Sequence, residues 1–267
     1  MKATLLSALH VSEDILLSYY EHPFKTGYKE EKHSIVTTAD LESEEAIIST
    51  IHGRFPKHNI LSEEAGFIDN HSTYTWVIDP LDGTSNFVAG IPWFGTLIAL
   101  FEDNQPVMAG ATLPVNGDVF FTENGRTTLK NGRPLRMTGM QALNNSLVAF
   151  SNDPVNDPEL QKKGLICYNY LLRNSRNIRS TNSLLDFLYV AEERFGCCIN
   201  MCTKIWDIAA ISLIIAGAGG VTRTMDNRAV KFLIGSSAIK KNYCIMTGSF
   251  DIINKLGIEL TKNLSGE

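Results

Sequence analysis

Apolar residues at Leu5, Leu6, Leu9, Ile15, Leu16 and Tyr19 recur at roughly helical spacing. They predict an amphipathic first helix within Met1 to Tyr20, ending near Glu21-His22-Pro23. Lys25 to Ile35 is polar and predicts a mobile hairpin or loop. A second helix follows, with Thr37 or Thr38 as its N-cap and Leu41, Ala46, Ile47, Ile48 and Ile51 as its buried face; His52-Gly53 ends it. Short apolar strands then succeed one another: Asn59 to Leu61, Thr75 to Ile78, Gly95 to Phe101, Val107 to Leu113 and Val119 to Thr122. Asn131-Gly132, between Thr127-Leu129 and Pro134-Leu135, predicts a two-residue hairpin.

From Ser146 to Phe150 the pattern changes. Helices at Pro158 to Leu172, Ser183 to Glu193 and Ile205 to Ala216 alternate with strands at Asn177-Ile178, Phe195 to Ile199, Val221-Thr222 and Tyr243 to Thr247. A last helix covers about Asp251 to Leu264. Helices first, an antiparallel run, then alternation predict a mixed α+β layered fold. The lobe boundary falls near Gln141-Asn145, giving an N-terminal lobe over 1–145 with a mainly antiparallel sheet and a C-terminal α/β lobe over 146–267. No internal repeat interrupts this organisation.

Composition narrows the partners. At 267 residues, with 44% hydrophobic and 20% charged residues, the chain has the balance of an ordinary soluble globular protein. Its net charge of −5 offers no electrostatic reason for a polyphosphate partner, so nucleic acid is not expected as the main ligand. Five cysteines (Cys167, Cys197, Cys198, Cys202, Cys244) lack zinc-ligand spacing and read as packing residues, reduced in a cytoplasmic setting. Neither a signal peptide nor a membrane span is visible, and no membrane partner is expected.

One run changes the picture. Trp76-Val77-Ile78 leads an apolar strand to Asp79, Pro80 biases that aspartate to an extended backbone, and Asp82-Gly83-Thr84-Ser85-Asn86-Phe87 follows. Carboxylates leaving a sheet at a sharp glycine turn form a common metal-binding edge, and hard cations such as magnesium share such oxygen ligands with phosphate. An acidic surface turn is the ordinary alternative; the strongly apolar flanks fit it poorly. Three other acidic features have plain readings when taken singly. Leu61-Ser62-Glu63-Glu64-Ala65-Gly66 reads as a solvated loop, Asp207 in Ile205-Trp206-Asp207 as a carboxylate favoured by a helix N-terminus, and Asp40 in Val36-Thr37-Thr38-Ala39-Asp40 as helix capping.

Taken together, in order and with their flanks, the four resemble the motifs of the inositol monophosphatase family, within the lithium-sensitive, magnesium-dependent phosphatases. Asp79 to Phe87 is the most specific piece; Trp206-Asp207 with Ala209-Ala210 and Ala218-Gly219-Gly220 is the second. The resemblance implies a layered α/β/α/β/α sandwich of the sugar-phosphatase type with the active site between its lobes, and a homodimer. It implies that Glu63, Asp79 and the Leu81 carbonyl hold one magnesium, and that Asp79, Asp82 and Asp207 hold a second. Asp40 would lie near a third, weaker site reached through water. Gly83, Thr84 and Ser85 would hold the phosphate, with Asp82, Asp207 and Asn200 contributing to the substrate site. The Thr84 hydroxyl and Glu63 would activate the attacking water, and phosphate would leave without a phosphoenzyme. Paired cations suit this chemistry, because they neutralise a doubly negative ester and stabilise the leaving alkoxide.

Three departures from the family pattern stand out, and the first two bear on the alcohol half of the substrate. Asn200 stands where an acidic residue often precedes Trp206-Asp207 by six positions, Arg179-Ser180-Thr181-Asn182-Ser183-Leu184 replaces a smaller run, and Gly217 stands where glutamate is common. A myo-inositol monophosphate is the first expectation; histidinol phosphate, other sugar phosphates, fructose 1,6-bisphosphate and 3′-phosphoadenosine 5′-phosphate are alternatives. A haloacid-dehalogenase-type phosphatase is the mechanistic rival. It spaces its two aspartates by one residue rather than the two of Pro80-Leu81, and strand alternation then turns the second acid the other way. A non-catalytic, metal-dependent interaction protein is the rival of another class. Phe94 to Leu100 and Phe120-Phe121 could offer a dimer surface, though core packing is their expected role.

Overall fold

The computed structural model describes residues 1–20, 22, 26–28, 35–139, 142–151 and 156–265. The chain opens with α1 (Lys2–Tyr19), the antiparallel pair β1 (Thr26–Tyr28) and β2 (Ile35–Thr37), and α2 (Thr38–His52). Next come β3 (Asn59–Ser62), β4 (Gly66–Ile68), β5 (Tyr74–Asp82), the short α3 (Thr84–Val88), β6 (Gly95–Glu102), β7 (Gln105–Leu113), β8 (Asp118–Glu123), β9 (Leu129–Lys130) and β10 (Arg133–Pro134). The remainder runs β11 (Leu147–Ser151), α4 (Pro158–Asn174), β12 (Asn177–Arg179), α5 (Leu184–Ala191), β13 (Cys197–Thr203), α6 (Ile205–Ala218), β14 (Val221–Thr224), β15 (Tyr243–Gly248) and α7 (Phe250–Ser265).

Two sheets result. The larger has the order β10-β9-β8-β7-β6-β5-β3-β4 and is antiparallel except between β3 and β5. The smaller has the order β12-β11-β13-β15-β14 and mixes parallel with antiparallel pairs. Alternation along β5 sorts its side chains: Trp76 and Ile78 pack with Leu5, Leu9, Ile47 and Ile51 of α1 and α2, while Val77 faces α6. On its other side the central α5/α6 layer meets β13 and β15, sharing a core with Cys198 and Ile245. Beyond that sheet, Cys167 and Leu171 of α4 and Ile253 and Leu256 of α7 cover Ile199 and Met246. The layers are therefore α1/α2, large sheet, α5/α6, small sheet, α4/α7: an α/β/α/β/α sandwich. Helix α6 is apolar nearly all round because both flanks are covered. Truncating Ile211 at the middle of this layer (Ile211→Ala) is expected to cost about 3 kcal/mol, measured by urea unfolding.

Several expectations are met in detail. Thr37 caps α2, and the Asn131-Gly132 turn joins β9 to β10 with both residues at positive φ (49° and 75°). The five cysteines are free thiols, with Cys197, Cys198 and Cys202 buried on β13. Phe94, Leu97, Ile98, Ala99, Leu100, Phe120 and Phe121 are core residues. No helix among the described residues is long and apolar enough to cross a membrane. Part of the polar stretch after α1 forms the β1–β2 hairpin; Glu21, Pro23, Lys25 and residues 29–34 lie outside the described residues, as does Gln141 at the expected lobe boundary.

The buried face of α2 needs correction. Leu41 is 52% exposed, and Ala39, Asp40, Ser43 and Glu44 turn inward beside Ile47 and Ile51. The cap decides this register: Thr37 accepts from the Asp40 N–H while its own N–H donates to the Asp40 carboxylate. The first turns of α2 consequently face polar backbone rather than the apolar core.

Candidate active site

The site is assembled at the end of β5. Asp79 follows Val77 on the face turned to α6. Between the pairs Asp79↔Leu97 and Asp82↔Gly95, three steps on β5 oppose two on β6, which is a β-bulge. Pro80 suits this position, since it has no N–H to give a ladder. The bulge also overturns the alternation argument: Asp79 and Asp82 converge instead of facing opposite ways. Ligand oxygens of Asp79, Asp82 and Asp207 all lie within 4.8 Å of one another.

Both helices of the central layer aim their N-terminal ends here. The Leu184 N–H, first in α5, donates to Asp82 Oδ1 at 2.5 Å. Asp207, in the first turn of α6, accepts at Oδ2 from the Lys204 N–H (2.7 Å) and the Thr203 hydroxyl (2.6 Å). Helix N-termini favour negative charge, so these contacts hold both carboxylates while leaving the cluster acidic. Asp79 is 1% exposed and accepts the Leu81 N–H at 3.1 Å. Burial holds its carboxyl well above the usual range, and the charges of Glu63, Asp82 and Asp207 with a hydrogen bond to Asp207 raise it further.

Glu63 directly follows β3, where its N–H donates to Ile78 O and extends the ladder towards Asp79. It acts electrostatically on Asp79 but is not among the three carboxylates within 4.8 Å. Gly83, at φ 84°, caps α3; a Cβ there would stand 2.5 Å from Trp93 O and 3.1 Å from Ser183 Cβ. The Thr84 hydroxyl faces two acceptors, Leu81 O at 3.0 Å and Asp40 Oδ1 at 3.2 Å. Asp40 is 2% exposed, and its other oxygen accepts the Thr37 N–H and hydroxyl. Ser85 is exposed on α3. Asn200 is buried on β13, on the same face as Cys198 and thus towards the central layer, and its Oδ1 accepts the Cys202 N–H.

Two supporting acids were not singled out from the sequence. Glu44 Oε1 accepts the N–H groups of Glu64 and Ala65 (3.1 and 3.0 Å), pinning the turn that follows Glu63. Asp186, fully buried, accepts from Thr181 N, Asn182 N and the Ser151 hydroxyl. Burial raises its carboxyl and those hydrogen bonds oppose the rise. It fixes the 181–184 turn, where Asn182 takes a left-handed φ of 52°, so that Leu184 reaches Asp82. The Asp at N3 behind Ser183 was the available signal, but it reads equally well as ordinary helix capping.

The three converging donors are carboxylates, and the charged groups acting on Asp79 are all acidic. Such an arrangement fits a hard divalent cation better than any internal counter-charge.

The profile of the inositol monophosphatase family matches residues 2–259. The Nus factor SuhB of Haemophilus influenzae is 34% identical over 193 residues, 72% of each chain. The inositol-1-monophosphatase of Caulobacter vibrioides is 30% identical over 214 residues, 78% of this chain and 82% of that one. The crystal structure of extragenic suppressor protein suhB from Bartonella henselae superposes with a TM-score of 0.86 at 28% identity, covering 98% of both chains. The chain belongs to the inositol monophosphatase family.

Proposed function

We propose that the protein is a magnesium-dependent phosphomonoesterase acting on a small polyol phosphate, with a myo-inositol monophosphate as first candidate. The observation that carries this reading is the convergence of Asp82 and Asp207 on the buried Asp79 within 4.8 Å. Glu63, Asp79 and the Leu81 carbonyl would hold one magnesium, and Asp79, Asp82 and Asp207 another. When bound, the ions would offset the charge of the ester and stabilise the departing alkoxide.

The chain's own groups divide the remaining work. Gly83, Thr84 and Ser85 would present backbone N–H groups to phosphate oxygens, close to the turn where a side chain on Gly83 would not fit. The Thr84 hydroxyl donates to Leu81 O and Asp40, which leaves its oxygen with lone pairs to accept a hydrogen bond from an attacking water; a proton taken from that water would be matched by the hydroxyl's own proton passing to the Asp40 carboxylate. Asp40, doubly anchored by Thr37, would orient Thr84 through the hydroxyl it accepts, besides lying near a third, weaker ion site reached through water. Asn200 and the 181–184 turn border the place of the alcohol. Asn200 is neutral, and its amide can bond sugar hydroxyls but gives an amino-alcohol no charge to bind. The relative named inositol-1-monophosphatase supports inositol as the first ester to try.

The test is phosphate release from inositol, histidinol, sugar and nucleotide monoesters and fructose 1,6-bisphosphate with magnesium, with and without lithium. Thr84→Ala is expected to lower kcat about 100-fold with little change in KM. A variant at the wild-type rate would remove Thr84 from the chemistry. Sedimentation would show whether the active species is a homodimer. Relatives named Nus factor favour a second reading beside the first, a role in binding other macromolecules. Partner binding retained by a variant without phosphatase activity would separate the two.

A further inference from the structure

Behind the acids, on the face of β5 turned to α1 and α2, three hydroxyls meet at the bulge. Ser12 of α1, Ser43 of α2 and Thr96 of β6 are each 0% exposed. Ser43 Oγ and Thr96 Oγ1 both donate to the carbonyl of Pro80, each at 3.1 Å. Ser12 Oγ lies 2.7 Å from Ser43 Oγ and 2.5 Å from Thr96 Oγ1, closing the group. Leu16, Ala39, Leu81, Phe87 and Phe94 form a buried apolar cluster in the same layer. Hydroxyls in such surroundings are costly unless bonded, and a bonded network restricts its members to one arrangement.

The residue they hold matters. Pro80 lies between Asp79 and Leu81 inside the bulge, where the regular ladder does not define the backbone. Rotating the Pro80 peptide would move the Leu81 N–H away from Asp79 Oδ1 and change the reach from Asp79 to Asp82. We propose that Ser12, Ser43 and Thr96 form a positioning clamp that, through the Pro80 carbonyl, sets the spacing of Asp79, Leu81 and Asp82 and thereby the affinity for magnesium. This rests on the reading of the acids as a magnesium site. Each hydroxyl has one proton, so three protons serve four contacts, and loss of one donor leaves another for Pro80.

That redundancy gives the clamp a signature in the full-length protein. Ser43→Ala and Thr96→Val alone are expected to move the half-saturating magnesium concentration less than about 3-fold; together they are expected to raise it about 10-fold or more, as loss of groups supporting metal ligands does. Magnesium affinity is read by calorimetry as well as by phosphate release. Thr96→Ser in the Ser43→Ala background keeps a donor and should restore near wild-type affinity. A double variant that melts earlier but binds magnesium like wild type would overturn the clamp and leave the hydroxyls a structural role. Should the double variant not fold, Ser12→Ala in the Ser43→Ala background decides: it leaves Pro80 one donor with no bridge to hold it, and magnesium affinity equal to that of Ser43→Ala alone overturns the proposal. Asp79→Asn run in parallel separates the failures. Magnesium binding intact in Asp79→Asn would sink both the site and the clamp; binding lost there but intact in the double variant would sink the clamp alone.

Discussion

Replacing Asp79 by asparagine is expected to stop phosphate release, lowering it about 1,000-fold or more, while raising the melting temperature of the metal-free protein. The two effects share one cause. Asp79 is buried at 1% exposure, and Glu63, Asp82 and Asp207 all act on it with the same sign. Keeping its charge, or taking up a proton to lose it, therefore opposes folding whenever no cation is present. Asparagine keeps the shape and an oxygen that can accept the Leu81 N–H, but carries no charge. In wild type, magnesium at about 100 times its dissociation constant should add about 2.7 kcal/mol of stability, or roughly 5–10 °C in a domain of this size. The variant should lose most of that rise. Thermal melts with and without magnesium, beside a phosphate-release assay, check all three outcomes. A variant that melts below wild type in metal-free buffer would mean that the acids are a hydrogen-bonded structural group sharing protons. The direction of the shift thus discriminates better than loss of activity, which many substitutions could cause.

Much of this arrangement could be read from the chain, for identifiable reasons. The apolar run Trp76-Val77-Ile78 marks the strand that delivers Asp79, because β5 is buried on both faces there, and strand alternation is then the rule that orients Asp82. The rule failed at the next step, because a bulge inserts one residue and alternation cannot register it. Leu41 was misplaced for a related reason: helical periodicity assumes that the inner face is apolar, whereas that of α2 meets the Pro80 carbonyl and the 64–65 backbone. The identities of Glu63, Asp79, Asp82 and Asp207 came from resemblance of their motifs, since spacing alone left an acidic loop and a helix cap as good alternatives. Polar residues whose partners are distant in sequence left no local trace. Ser12 meets Thr96 across 84 residues, and Asp82 meets Leu184 across 102. Glu44 and Asp186 look like solvated helix residues until the loops they anchor are in view.

Gly83 offers the second large effect, and its neighbour Gly90 supplies the control. Both have positive φ, 84° and 69°, so alanine at either should cost about 1–2 kcal/mol through the backbone alone. They differ in surroundings. Nothing lies within 4 Å of a Cβ at Gly90, whereas at Gly83 it would meet Trp93 O at 2.5 Å and Ser183 Cβ at 3.1 Å. Neither obstacle can retreat easily: Trp93 O is held by Asn86 Nδ2, and the turn containing Ser183 is held by Asp186 and by Asn86 through Thr181 O. The strain must then pass along the chain to Asp82 and Thr84 on either side. A displacement near 1 Å of such groups lowers turnover about 100-fold. Gly83→Ala is accordingly expected to lose about 3 kcal/mol and at least 100-fold in kcat, while Gly90→Ala loses about 1 kcal/mol and keeps near wild-type turnover. Urea unfolding and phosphate release on the two variants decide the matter. If both lose activity equally, backbone freedom of the whole 83–90 segment is what catalysis needs. If only Gly83→Ala fails, the close approach of the Trp93 and Ser183 segments to this turn is what places Asp82 and Thr84 for the reaction.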